Sequence, residues 1–190
     1  MQKVFKPKLG TRENITFELR DKDGNAKKLF QPYRWVAYLV KHGVVSTNIR
    51  KSIFTGYYTK QLRYANLVVN TGRAGVASRI NGAGAEAVFT YIAIGTGTTA
   101  AAAAQTTLVT EITTGGGARV SGSVSRTTTT VTNDTARTQA TFTFSASFAV
   151  TEVALLNAAS AGTMLNRSVF TAVNVASGDT LQVTVDISVA

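Results

Sequence analysis

The sequence predicts an all-β protein: an antiparallel β-sandwich or barrel-like domain with one short helix and an elaborated basic N-terminal region. Three observations point there. Leu181, Val183, Val185, Ile187 and Val189 alternate strictly with Gln182, Thr184, Asp186 and Ser188, the period of a strand with one face in a core and the other wet. Short apolar or Thr-rich runs recur along the chain, separated by Gly, Asn and Asp turn signals. Hydrophobic residues make up 44% of the 190-residue chain and charged residues only 16%, a globular composition whose polar share is Thr and Ser rather than helix formers.

From the N-terminus, Ile15 to Leu19 alternates apolar and polar residues and predicts a half-buried strand. Asp21-Lys-Asp-Gly-Asn25 follows as a turn, with Ala26 to Phe30 returning as its hairpin partner. Trp35, Val36, Tyr38 and Leu39 have helical spacing, although a strand or a single turn fits so few residues equally well. Ser52 to Thr59, broken at Gly56, reads as a bent strand pair. Asn66 to Gly72 is a short apolar strand ending in a turn. A short helix is predicted over 73–80, with Val76, Ala77 and Ile80 on one face and residues 82–84 closing it.

Beyond it, Thr90 to Gly95 is a buried strand running into the turn Gly95-Thr-Gly97. Ala100 to Ala104 predicts one helical turn, leading into a strand over 107–112, with a flexible break at Gly115 to Gly117. Residues 119–124 and 127–132 read as polar strands, and another strand begins at Thr141 to Phe144. Val150 to Leu156 carries a strand into the turn at Ser160 to Gly162, and Met164 to Phe170 continues after it.

Charge divides the chain. Residues 1–80 hold 16 Lys and Arg against 4 acids, whereas residues 81–190 hold 4 Arg against 6 acids. We therefore place the domain boundary at 65/66, between a basic, aromatic-rich arm, hairpin and insertion (1–65) and a β-sandwich (66–190). Such asymmetry predicts that the first part faces an acidic partner. The candidate interface residues are Lys3, Lys6, Lys8, Arg12, Tyr33, Arg34, Trp35, Arg50, Lys51, Tyr57, Tyr58, Lys60, Arg63 and Tyr64. Cations interleaved with aromatics also suit nucleic acid. No helix-turn-helix, zinc-finger or RNP pattern accompanies them, so an acidic protein surface is the favoured partner.

No catalytic constellation is present in the sequence, and no cofactor or metal site is expected. Cysteine is absent and His42 is the one histidine, so any nucleophilic triad would depend on a histidine beside a glycine in a loop. Gly95-Thr-Gly-Thr-Thr99 lacks the Gly-Lys-Ser/Thr ending of a phosphate loop, and a turn between strands explains it better. Asp21 and Asp23 echo the start of a calcium loop whose remainder is missing. Glu111, Glu152 and Arg167 stand beside apolar strands; solvated strand-edge charges are slightly favoured over buried or intersubunit ion pairs. The N-terminus lacks a signal-peptide run, and no apolar segment nears the roughly 20 residues that cross a bilayer. A cytoplasmically made chain with no membrane partner is expected.

Several phrases in order carry a resemblance: Asn66-Leu-Val-Val-Asn-Thr-Gly72, Tyr91-Ile-Ala-Ile-Gly-Thr-Gly-Thr-Thr99, Val150-Thr-Glu-Val-Ala-Leu-Leu-Asn157 through Leu165-Asn-Arg167, and Asp179 to Ile187. Over about two thirds of its length the chain resembles the structural proteins of tailed-phage virions. The resemblance implies a β-sandwich without catalytic residues, localised in the virion after synthesis in the host cytoplasm. It further implies other virion proteins (major capsid, neck or tail) as partners, in a homo-oligomer or symmetric array. Head decoration or cement is the first expectation, and collar, baseplate or tail-fibre attachment the next. A nucleic-acid-binding module and a carbohydrate-binding or hydrolytic adhesin are the readings from other classes. The chain departs from the resemblance between Gln31 and Tyr64, an aromatic, basic insertion expected to form the docking surface.

Overall fold

The computed structural model describes residues 13–46, 51 and 54–189. Two five-stranded sheets face one another, with strands numbered along the chain. The first runs β4 (Leu62–Ala65), β1 (Glu13–Arg20), β12 (Thr180–Ser188), β9 (Thr135–Thr143), β8 (Ser123–Thr127). The second runs β5 (Leu67–Val68), β11 (Met164–Val175), β10 (Phe148–Leu156), β6 (Tyr91–Gly95), β7 (Val120–Ser121). A small sheet pairs β2 (Leu29–Pro32) with β3 (Gly56–Thr59). Every ladder among the described residues is antiparallel, and the fold is the expected all-β sandwich.

Period two builds the first sheet. Leu181, Val183 and Val185 are fully buried, and the register places Leu19, Phe17 and Ile15 of β1 directly beside them. Residues paired directly across two strands point to the same face of the sheet, so all six side chains enter the core together. From the second sheet Phe170 meets Phe17 at a centroid distance of 4.5 Å and Tyr64 at 5.6 Å. Burying such rings contributes about 1.5–3 kcal/mol each.

The second sheet is covered on both faces, which is why β10 and β11 read as unbroken buried runs rather than alternating ones. Val153, Leu155, Ile92 and Ile94 face the first sheet. Ala93, Ala154, Leu156 and Met164 face the other way, beneath Val69 and Leu108. Helix α1 (Arg34–Lys41) also packs on β11 and buries Val36 and Val40.

Helix α2 (Asn70–Asn81) lies on β11 and is longer than predicted, but it ends at Gly82 as the sequence indicates, with φ 70° there. Its contact face differs from the expected one. Gly72 and Gly75 are its buried residues, whereas Val76 and Ile80 are exposed. A β-carbon at Gly72 would run into the Leu165 carbonyl, so backbone proximity, not an apolar stripe, seats this helix.

Other expectations are corrected. The hairpin after Gly24 makes one bridge, Arg20 to Ala26, and the chain then leaves to pair β2 with β3. The boundary at 65/66 separates no structural units, because β1 and β4 belong to the first sheet and β1 pairs with β12 throughout. Between β1 and β4, the described residues of 21–61 stand outside the sandwich sheets. Residues 100–104 form no helix, and 107–112 contribute only the bridge Gly95 to Glu111. Strand β9 begins at Thr135 and ends near Phe144, where a strand start was expected. The run 128–132 is a loop wrapped around Asp134, whose carboxylate accepts the amides of Thr129, Thr130 and Val131 at 2.7–2.8 Å. Those bonds hold its carboxyl well below the usual carboxylate range. The predicted start of the bent strand at Ser52 and Ile53 lies outside the described residues.

Candidate functional site

A groove of about 860 Å³ is lined mainly by residues between Gln31 and Tyr64, with Asn14 and Ala65 at its border. One wall is α1 with the residues that flank it, contributing Tyr33, Arg34, Tyr38 and His42. The other is β3 and β4, contributing Tyr57 and Arg63. Gln31 and Gln61 lie between the two walls. Tyr33 and Tyr57 approach across the groove at 6.1 Å between ring centroids, while Tyr38 and His42, one helical turn apart, stack at 4.3 Å. No carboxylate is among the described lining residues.

Arg63 is held from two sides. Gln31 grips its backbone: the Arg63 N–H donates to Oε1 at 2.7 Å, and Nε2 donates to the Arg63 carbonyl at 3.0 Å. The amide side chain thus imitates a neighbouring strand and occupies the outer edge of β4 at this residue. The guanidinium donates to Gln61 Oε1 at 3.2 Å, and Gln61 in turn donates to Glu18 at 2.6 Å. This chain of bonds restricts the Arg63 head before anything binds.

The sequence-predicted residues divide by the pleat of β3. Tyr57 faces this groove, whereas Tyr58 stacks edge-on with Phe30 at 5.5 Å and lines a smaller depression with Lys27, Lys28 and Lys51. Lys60 borders a third, open depression with Glu18 and Arg20. Trp35 is exposed on α1, outside the groove lining. Lys3, Lys6, Lys8, Arg12 and Arg50 lie outside the described residues. Tyr64 is corrected. Its ring is buried against Phe170, and its hydroxyl bonds the Thr171 hydroxyl at 2.5 Å and receives the Thr171 amide at 3.1 Å. Burial pushes its phenol up to about 12. Its ring belongs to the core, and Tyr64 meets the groove only as a buried member of its lining.

Sequence reasoning missed Tyr38 and His42 as a pair, although their i, i+4 spacing was the available signal. It also missed Gln31 and Gln61, whose roles depend on where β2 and β4 meet.

A second cluster lies on the outer face of the second sheet. Glu152 and Arg167 form an ion pair of 2.7 Å with both side chains fully excluded from solvent. Solvated edge charges were the slightly favoured reading; burial overturns it. Glu152 also accepts the amides of Gly97, Val109 and Thr110 at 2.7–3.1 Å. Arg167 donates to Gln105 Oε1 at 2.9 Å and to the Thr99 carbonyl at 3.0 Å. The pair therefore supplies the partners that the irregular backbone 97–110 lacks within itself. A β-carbon on Gly97 would collide with the Glu152 carboxylate, which accounts for a glycine in that turn. Beside it Arg119 binds Glu111 bidentately at 2.6 and 2.9 Å and reaches the carbonyls of Ala158 and Ala161.

Chemically, the groove offers aromatic faces and fixed positive charge. Among the described residues no three His, Asp or Glu converge as a metal site, and no helix is long and apolar enough to cross a membrane. The chain matches no family model, no curated protein and no solved structure.

Proposed function

We propose that this chain is a non-catalytic structural protein of a tailed-phage virion, which docks through its basic, aromatic insertion on an acidic surface of a neighbouring virion protein. The observation that carries the reading is the groove, where Arg34, Arg63 and His42 stand among tyrosines with no carboxylate in the described lining. Its mounting supports the same reading. A two-sheet core and a buried ion pair fix the scaffold, and an amide plug occupies the nearest strand edge.

The phrases that resemble phage structural proteins supply that scaffold. Tyr91 to Thr99 and Val150 to Arg167 contain both members of the buried pair and part of the loop they hold. They thus do structural work, as an assembly protein requires. Head decoration is the first placement, and collar, baseplate or tail-fibre attachment the alternative.

Co-sedimentation with particles lacking the protein tests the reading. Binding weakens as salt rises while the circular dichroism spectrum stays fixed, and Arg34→Ala with Arg63→Ala lowers it further. Binding that ignores both salt and the double substitution contradicts docking through this face. Strong binding to DNA alone, falling steeply with log salt, favours the nucleic-acid module instead.

A further inference from the structure

The groove has a definite chemistry of its own, and it narrows the partner. We infer that it receives an extended acidic segment of a partner protein, held by side-chain contacts and not by strand addition; this rests on the reading of the basic insertion as a docking face.

Three features of the groove carry the inference. The first is charge: Arg34 comes from α1 and Arg63 from β4, and no carboxylate is among the described lining residues, Glu18 reaching Arg63 only through Gln61. An occupant of the groove meets two guanidinium groups and gains most by offering carboxylates, which they bind with directional, charge-assisted bonds.

The second is composition. Tyr33, Tyr38 and Tyr57, with exposures of 40%, 61% and 53%, give large rigid surfaces at low entropic cost. Tyr and Arg together are the residue types that dominate binding energy at protein interfaces. At about 860 Å³ the groove is larger than a simple anion needs and falls in the range that encloses a drug-sized molecule, which suits a few residues of peptide.

The third feature fixes the mode of binding. Peptides often bind by extending a sheet, which needs free backbone groups on an edge strand. On β4 the Arg63 N–H and C=O are both taken by Gln31, and the Ala65 carbonyl is taken by the Ser168 hydroxyl. Strand addition there would first have to displace these bonds. The occupant therefore reads the groove through its own side chains, with aromatic or apolar residues against the tyrosines and acids against the two arginines.

Nucleic acid fits this site less well. Single strands are tracked by a run of cations together with stacking rings, and their affinity scales with the number of phosphates neutralised. Here the described lining offers two arginines and no lysine.

The test uses the full chain and an array of short peptides that alternate Leu with either Glu or Gln, graded in Glu content. Labelled oligothymidylate serves as the nucleic-acid probe. Binding should rise with each added Glu, and Arg34→Ala or Arg63→Ala should weaken the most acidic peptide roughly tenfold. Lys60→Ala, outside the groove, should change it less than about twofold. N-methylating the peptide backbone should leave affinity within the same range, since the backbone edge is not used. A flat response to Glu content, indifference to both arginine substitutions, or tighter binding of oligothymidylate overturns the inference. A large loss of affinity on N-methylation of the peptide backbone overturns the side-chain mode. Incorporation into particles is scored separately. A chain present in virions that ignores acidic peptides loses only this inference, and a chain absent from virions that binds them loses only the virion reading.

Discussion

Arg167 Nη2 lies 2.7 Å from Glu152 Oε2 with both side chains completely shielded from water, and together they bond five groups of the segment 97–110. Burying two opposite charges is costly unless every remaining donor and acceptor is used. Here loop amides complete the carboxylate, and Gln105 with the Thr99 carbonyl completes the guanidinium. The pair fixes how the loop lies on the second sheet.

Removing one partner should therefore be severe. Arg167→Met or Glu152→Leu is expected to cost about 3–5 kcal/mol in urea unfolding, because an uncompensated buried charge or several orphaned amides remain. The double substitution should cost less than the sum of the two. Additive losses would mean that the two side chains act independently.

Glycines at close approaches should tolerate no methyl group. Gly97→Ala meets the Glu152 carboxylate, and Gly72→Ala meets the Leu165 carbonyl. Each is expected to lower stability by about 1–3 kcal/mol, measured by thermal melting. Val76→Ala and Ile80→Ala on the exposed face of α2 should shift it within about 0.5 kcal/mol.

Tyr64 makes stability sensitive to alkali. Its folded-state value is raised from 10.0 to about 12, chiefly by burial. The fold thus favours the neutral phenol: the contribution is complete below pH 10 and is lost as pH rises from there to about 12. Absorbance titration should show one tyrosine ionising late in the wild type and missing in Tyr64→Phe. Loss of the Thr171 contacts should also cost that variant about 1 kcal/mol.

Asp134 works in the opposite direction. The amides of Val131, Thr129 and Thr130 and the Thr135 hydroxyl lower its carboxyl. Its contribution to the 128–134 loop is present above the ordinary carboxylate value of about 4 and is lost as pH falls through the lower folded value. A carboxyl-carbon NMR titration should find its midpoint below the ordinary carboxylate value of about 4. Asp134→Ala should abolish slow exchange of the three amides.

How much of this was legible in the sequence follows from which forces act locally. β12 was legible because Leu181, Val183 and Val185 enter the core while Gln182 and Asp186 stay half-buried, a pattern written in consecutive residues; at the strand's end the expected alternation fails, with Ser188 buried and Val189 exposed. β11 was only partly legible: covered on both faces, it carries Asn166, Arg167 and Ser168 fully buried, and nothing local reveals the partners that make such polar residues tolerable. The Glu152–Arg167 contact depends on the register of β10 with β11, including its irregularities, which a single sequence does not contain. On α2, Val76 and Ile80 offered an apolar face, yet close approach through glycine won. In the groove, the clustering of Tyr33, Arg34, Tyr57 and Arg63 was legible as composition. The inward turn of Tyr64 was not, because alternation along β4 has no meaning until its sheet neighbour is known.

Copy number per purified particle, measured by quantitative mass spectrometry against the major shell protein, tests the proposed function most directly. The account predicts a fixed stoichiometry: abundance comparable to the shell protein for head decoration, or a small constant fraction for a neck, tail or fibre position. Absence of the chain from particles would contradict it.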